Sequence, residues 1–412
     1  MLKIATFPFL QSTIARLVDW IDKNGVQGWD PYDIKGSDMG IYFQSHPRTI
    51  IKKCLNKAFD FTNIIWPIST RKLFSIQPQI NAKGMGLLLG SFAQLHQINA
   101  NNTSYLNKAK KIADWLIKNR VKKYAGFSWG YPFNWQSCIF IPKHTPSSVV
   151  SSTVGDGFYQ LYLATNDPKY FDVCKEICTF FIENLKITYD KAGATCRSYT
   201  PIDDYQVHNA NLFVAEFLAR IGKKTNNQAW LSEALSLASF ALKEQQAEGF
   251  LPYWGLEQTQ KYSNGKINID HYHSGFEIRC LYQLWKHTNH EPLKVAYKRY
   301  FNWYNTHMFK NNIIPLIKPK KLYPINIHAC AESILCRSNL LTDHPEFKNH
   351  IYKTIKWISK KMEYKPGEYS YLRQKLFGIP ISTKIPMLRW GQAWMLKSMT
   401  EYALQIKRLE KN

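Results

Sequence analysis

The chain has 412 residues, 45% of them hydrophobic, which is enough to bury a large core and too many for a disordered or fibrous polypeptide. Its 54 Lys and Arg against 30 Asp and Glu leave a formal charge of +24, which biases the surface toward an anionic partner. No apolar run of about 18 residues occurs, so no membrane-spanning helix is expected, although peripheral membrane contact stays open.

The opening residues MLKIATFPFLQSTIARLVDW have neither an unbroken apolar stretch nor a small-residue cleavage site, so no secretory leader is expected. Phe9 to Lys23 and Pro47 to Phe59 both read as helical. From there a repeat sets in. A polar turn, an anchoring apolar residue and an amphipathic helix recur with anchors at Tyr105, Tyr170, Trp230, Leu293 and Phe347, spaced by 54 to 65 residues. That period is too long for tetratricopeptide-type units, so each repeat holds more than one helix. In the second copy Phe171, Cys174, Ile177, Cys178, Phe181 and Leu185 follow helical spacing behind Asp167-Pro168, a cap and a first-turn proline, which makes a one-sided outer helix. The segments before the copies, such as GMGLLLGSFAQLH and NLFVAEFLARI, are apolar nearly all round and read as buried inner helices. RWGQAWMLKSMTEYALQIKRL begins as a sixth inner helix, with one of the two N-terminal stretches as its outer partner.

Six such hairpins predict an all-α fold, a closed (α/α)6 toroid of inner and outer helices over 1–412, with 1–60 closing the ring; an open solenoid is the alternative. Strand-like signals are confined to connectors such as GFSWGYPFNW and IIPLIK. The eight Cys contain no CxxC pair and read as free thiols in a reducing cytosol, which makes a cytoplasmic location the expectation.

If the toroid closes, the polar residues at the inner-helix starts converge, where free N–H groups and the positive dipole end favour anions. They include Asn81 and Lys83; Ser152, Thr153 and Asp156; His208, Asn209 and Asn211; Asp270, His271, Tyr272 and His273; Asn326 and His328; and Arg389, Trp390, Gln392 and Trp394. His208, His271, His273 and His328 occupy corresponding places in three successive repeats, suited to general acid and base work or to capping and core hydrogen bonds. No HExxH or Cys/His zinc pattern accompanies them, so neither metal nor other cofactor is expected. Rim aromatics, among them Trp66, Trp129, Tyr131, Phe133, Trp135, Tyr253 and Trp254, offer flat faces to sugar rings or seal the barrel ends.

Two chemistries fit. A hydrolase needs two carboxyl groups across the scissile bond, for which Asp156 and Asp270 are the best pair. On a uronic acid, a base removes the C5 proton while cationic groups stabilise the carboxylate as it becomes an enediolate; Arg389, Arg197, His271 and Tyr272 suit that scheme. His271, His208, His328, Tyr272, Arg389, Asp156 and Asp270 are therefore the catalytic candidates. Asn81, Trp129, Trp135, Gln136, Asn209, Asn211, His273, Trp254, Trp390 and Gln392 are the substrate-binding candidates. Lys residues lie mainly on outer-helix faces and no nucleic-acid module is present, so the expected partner is an acidic poly- or oligosaccharide, free or lipid-linked.

The blocks GWDPYDIKG, WPIS with IQPQINAKGMGLLL, WGYPFNWQS, VHNANL, DHYHSGF, LYPINIHACA and IPMLRWGQAWM together resemble a family of bacterial proteins associated with surface-polysaccharide biosynthesis. That family looks like the six-hairpin glycosidases, whose relatives include glycoside hydrolases, polysaccharide lyases and glucuronyl C5-epimerases. The resemblance runs from about Gly28 to Trp394 and brings Asp30, Asp33, Asn134 and Gly275 into the matching blocks. The chain departs from it at Gln77-Pro78-Gln79 and in the insertion KPKK at 318–321. The resemblance implies the six-hairpin fold and a place in surface-polysaccharide biosynthesis; the site residues suit a uronate epimerase or lyase, with a two-carboxylate hydrolase or a glycan-binding scaffold as the alternatives.

Overall fold

The computed structural model describes residues 7–45 and 49–410, and in them the hydrophobic repeat becomes helix pairs about one axis. The N-terminal helices are α1 (Pro8–Asn24), α2 (Asp38–Gln44), α3 (Ile50–Ile65) and α4 (Pro67–Leu73). There follow α5 (Ala82–Ile98), α6 (Thr103–Lys118), α7 (Ser148–Thr165), α8 (Pro168–Asn184), α9 (His208–Thr225) and α10 (Gln228–Glu244). The short α11 (Leu256–Ser263) precedes α12 (His271–Thr288), α13 (Glu291–His307), α14 (Ile327–Asn339), α15 (Lys348–Met362) and α16 (Trp394–Leu409), the last entered through a π-helical turn at Leu388–Ala393. Helices α5, α7, α9, α12, α14 and α16 form an inner ring in which each packs on the next and α16 returns to α5. The toroid is closed.

Helices α6, α8, α10, α13 and α15 each lie against the inner helix before them, and α1 completes the outer layer against α16 and α15. Of the two N-terminal candidates, the stretch from Phe9 is therefore the sixth outer helix. The described part of the other belongs to α3, which rests on α2 and α4 outside the ring, while Pro47 lies outside the described residues.

Burial follows the two sequence patterns. Helix α6 buries only the side carrying Ala109, Ile112, Ala113 and Leu116, whereas α5 buries nearly every side chain. Glycine sets the closest approach in the ring: a Cβ on Gly157 of α7 would lie 2.5 Å from the Gly86 carbonyl oxygen of α5, so neither helix could carry a side chain there at this spacing.

The connectors fix how each inner helix begins. The first-residue N–H of α7, α9, α12 and α14 donates to a carbonyl in the connector one repeat ahead: Ser148 to Tyr199, His208 to Tyr253, His271 to Ile317 and Ile327 to Tyr371. Leu388, first in the π-turn, donates likewise to Trp29. The first residue of each of these helices thus faces the barrel wall. Strands are short ribbons in the connectors; the largest sheet pairs the hairpin strands Leu372–Leu376 and Ile379–Thr383 and adds Ile325–Asn326 on the other edge of Leu372–Leu376.

Candidate active site

One residue further along, a helix has turned by about 100°, and the second residue of each inner helix, counted for α16 from its π-turn, faces the axis. Lys83, Val149, Asn209, Tyr272, His328 and Arg389, one from each, line a single cavity of about 110 Å³. All six inner helices therefore present their N-termini at one rim. Tyr32, Tyr131, Phe133, Trp135, Tyr199, Tyr253, His273, Phe276 and Trp390 complete the wall.

Of the two cations in this ring, one is neutralised and one is not. Arg389 is gripped by both carboxylate oxygens of Asp30, with Nη2 2.6 Å from Oδ1, and Asn81 donates to the same carboxylate at 3.4 Å. Burial opposes the guanidinium charge, but Asp30 outweighs it and holds Arg389 protonated. Behind it Arg71 pairs with Asp33 at 2.8 Å and donates to the Asp30 carbonyl, which fixes the acidic turn. Lys83 is only 3% exposed and forms no ion pair among the described residues; its ammonium lies over the rings of Phe276 and Trp394. Burial, then the neighbouring Arg389, hold its pKa well below the usual lysine value.

His328 is 2% exposed, and neither ring nitrogen has a hydrogen-bond partner among the described residues. Its ring stacks on Tyr272 at 4.8 Å and meets Trp390 edge-on at 4.4 Å. Burial first, then Lys83 and Arg389, keep it neutral. His273 also packs on Tyr272, 4.4 Å from it, and its Nδ1 is 2.7 Å from Asp270 Oδ2. Asp270 also caps α12 through the His273 N–H at 3.0 Å. Two imidazoles therefore pack on one tyrosine, one paired with a carboxylate and one with no polar partner among the described residues. Burial raises the hydroxyl pKa of Tyr32 to about 12 and that of Tyr253 and Tyr272 further, so these remain neutral hydrogen-bonding groups.

The fold does not bring all the sequence candidates together. His328, Tyr272, Arg389, His273, Asn209, Trp135 and Trp390 line the cavity, with Asn81 and Asp270 supporting it from behind as caps. Asn209 leaves its buried Oδ1 without a partner, and Trp390 donates to Asn326 at 3.1 Å. His271 and His208 stand first in their helices and point into the wall. His271 has Nδ1 3.0 Å from the Leu316 carbonyl and Nε2 2.6 Å from the Tyr304 hydroxyl, and burial lowers its pKa to about 3. His208 has Nδ1 2.7 Å from the Pro252 carbonyl and Nε2 2.9 Å from Glu244.

Trp129 is buried in the wall and donates to Leu116, and Arg197 is bound by Glu233 and three backbone carbonyls. Asn211 spends its amide on the Arg197 N–H and the Leu237 carbonyl. Gln392 bridges the Met387 carbonyl and the Tyr369 N–H. Trp254 packs on Tyr205, Tyr253 and Tyr262, and Gln136 sits in a connector ribbon, donating to the Ser137 carbonyl. Asp156 lines a separate cavity toward the C-terminal ends of the inner helices, where Arg220 at 2.9 Å and Lys397 at 3.0 Å overcome the effect of burial and hold its carboxyl well below the ordinary range. Asp156 and Asp270 therefore face different cavities and form no pair.

Lys83 was visible as a polar helix start but carried no assigned role, and Tyr32 and Tyr199 come from loops with no periodicity to mark them. Among the described residues no three His, Cys, Asp or Glu side chains gather in a metal-binding arrangement.

No protein-family model and no curated protein sequence matches the chain. Solved structures do. The cellobiose 2-epimerase of Bacillus thermoamylovorans is similar over 80% of this chain and 88% of its own, at 11% identity and a TM-score of 0.59. An unsaturated glucuronyl hydrolase specific for heparin is similar over 80% and 87%, at 13% identity and 0.53. A D-mannose isomerase is similar over 80% and 87%, at 13% identity and 0.59. The fold is the (α/α)6 toroid of the six-hairpin glycosidases and sugar epimerases.

Proposed function

We propose that the protein is a carbohydrate enzyme that moves a proton on an acidic sugar, a uronate C5-epimerase or lyase acting in the assembly of a bacterial surface polysaccharide. The observation that carries this is His328: a buried, neutral imidazole with both nitrogens free, in a cavity whose nearest cation, Lys83, lacks a counterion. A sugar carboxylate supplies that counterion and restores the ammonium's ordinary tendency to hold its proton. His328 then takes the C5 proton, while Lys83 and the Arg389 guanidinium stabilise the negative charge growing on the carboxylate. His273, whose Nδ1 bonds to Asp270, returns a proton. Delivery to C5 gives the epimer; delivery to the C4 oxygen as that bond breaks gives the unsaturated product. The tyrosines and Trp135 provide ring faces and hydroxyls to the sugar.

The two-carboxylate hydrolase is less well supported, because Asp30 and Asp270 are both engaged and Asp156 faces another cavity. Proton transfer at C2 of a reducing sugar, the reaction type in the names of cellobiose 2-epimerase and D-mannose isomerase, would use the same two histidines. The unneutralised Lys83 favours the acidic sugar over it. Incubation with uronate-containing oligosaccharides in deuterated water, followed by NMR, tests the proposal. C5 exchange or an unsaturated uronate is expected. Exchange at C2 of neutral sugars alone would support the second reading, and binding without product a scaffold.

A further inference from the structure

The rim from which the cavity opens carries a surface the fold leaves uncovered. Helix α3 turns Phe59 and Asn63 inward and leaves Ile50, Ile51, Leu55 and Phe61 outward, with Ile50 79% exposed. Trp66 and, on α4, Ile68 and Leu73 extend this face. Lys53 and Lys57 lie along one edge of it and Lys72 at its end, with Asp60 the single acidic residue in α3 and α4. A soluble amphipathic helix ordinarily does the reverse and buries its apolar side.

A second projection adjoins it. Thr383, at the foot of the hairpin Leu372–Thr383, donates to the Ile64 carbonyl of α3 at 3.1 Å. At the tip Phe377 is 94% exposed and Ile379 66%. The hairpin is basic, and Lys375 lies over Tyr323 beside the insertion containing Lys318, Lys320 and Lys321. Its root pairs with Asn326, which holds Trp390 in the cavity wall. The apolar face and the hairpin therefore flank the cavity mouth.

We infer that this rim docks on an anionic lipid surface, with the apolar side chains entering the headgroup boundary and the lysines meeting the phosphates. An acidic glycan would engage the lysines and gain nothing from Ile50, Ile51, Leu73 and Phe377. A second copy of this chain would bring two bodies of charge +24 together. Exposed bulky apolar groups bordered by lysine are what an anionic bilayer rewards in surface-bound proteins. No helix among the described residues is long and apolar enough to cross a membrane, so the attachment is to one surface. Docked this way, the cavity faces the headgroup layer. The inference rests on the acidic-sugar reading for its consequence, that the substrate is lipid-linked, but not for the docking itself.

Vesicle co-sedimentation of the full chain tests it. The wild type should sediment with phosphatidylglycerol-containing vesicles, not with pure phosphatidylcholine, and should release in high salt. Ile51→Asp and Phe377→Asp should each lower partitioning about tenfold or more, and Lys53→Glu with Lys57→Glu at least about twentyfold. These side chains are exposed, so thermal unfolding should not change. Failure of the wild type to sediment with anionic vesicles overturns the inference. So does loss of sedimentation in the lysine variants alone, which would mean simple charge adhesion, or a dimer in light scattering that Ile51→Asp dissolves. Turnover of a soluble oligosaccharide by Phe377→Asp should equal the wild type, so a failed docking and a failed chemistry are read in separate assays.

Discussion

Replacing His328 by phenylalanine separates catalysis from stability. The substitution keeps a flat, slightly larger ring over Tyr272 and against Trp390 and removes the two nitrogens, neither of which has a hydrogen-bond partner among the described residues. Each unsatisfied buried polar atom costs about 1–3 kcal/mol. With part of that cost relieved by cavity water, His328→Phe should stabilise the fold by roughly 1–3 kcal/mol, read as a higher urea midpoint at unchanged m. If His328 is the base, turnover should fall at least about a hundredfold. Gain of stability with loss of activity is the signature of a group held in an unfavourable place for its chemistry. A variant that is less stable than the wild type yet fully active would refute the argument, because His328 would then be an ordinary core residue.

His271→Ala should behave in the opposite way: it orphans the Leu316 carbonyl and the Tyr304 hydroxyl, so unfolding should come earlier by about 2–5 kcal/mol while the folded fraction keeps its turnover. Lys83→Met should raise KM for the acidic substrate roughly tenfold without loss of stability, since it removes a buried cation that has no ion pair; an unchanged KM would remove Lys83 from the site. Arg389→Lys keeps a charge but loses the two-point grip on Asp30 and should cost about 1–3 kcal/mol in denaturant unfolding. Stability should also fall on acidification. Above about pH 6.5 His271 is neutral both folded and unfolded; below it the unfolded chain takes up a proton that the folded state, with a pKa of about 3, refuses. The loss approaches about 1.4 kcal/mol per pH unit for such a histidine, His328 adds to it in the same direction, and the His328→Phe variant should show a shallower pH dependence in urea titrations.

The six-hairpin toroid was legible because it is written twice in the sequence, as one-sided outer helices and all-round apolar inner ones, and a closed ring hides the six apolar helices. Choosing between Phe9–Lys23 and Pro47–Phe59 as the closing helix was not possible from pattern, since both are amphipathic. Only packing shows that α3 keeps its apolar face outward. The site was half legible. Polar helix starts do converge on one cavity, but the sequence gives their level along the axis more readily than their angle about it, and one residue of offset separates wall from cavity.

That offset accounts for which histidines reach the cavity. His208 and His271 stand first in α9 and α12, and each finds a backbone carbonyl about one repeat ahead, at Pro252 and Leu316. His328 stands second in α14, behind Ile327, so its ring swings to the axis and no connector carbonyl meets it. A frame taken from the caps, Asn81, Ser147, Asp270 and Asn326, would have assigned four of the six axial positions by counting two residues on, to Lys83, Val149, Tyr272 and His328. The fold thus uses one amino acid for two purposes at adjacent register positions. The imidazole that closes its hydrogen bonds within the wall holds a connector to a helix; the one left open can exchange protons with whatever fills the cavity.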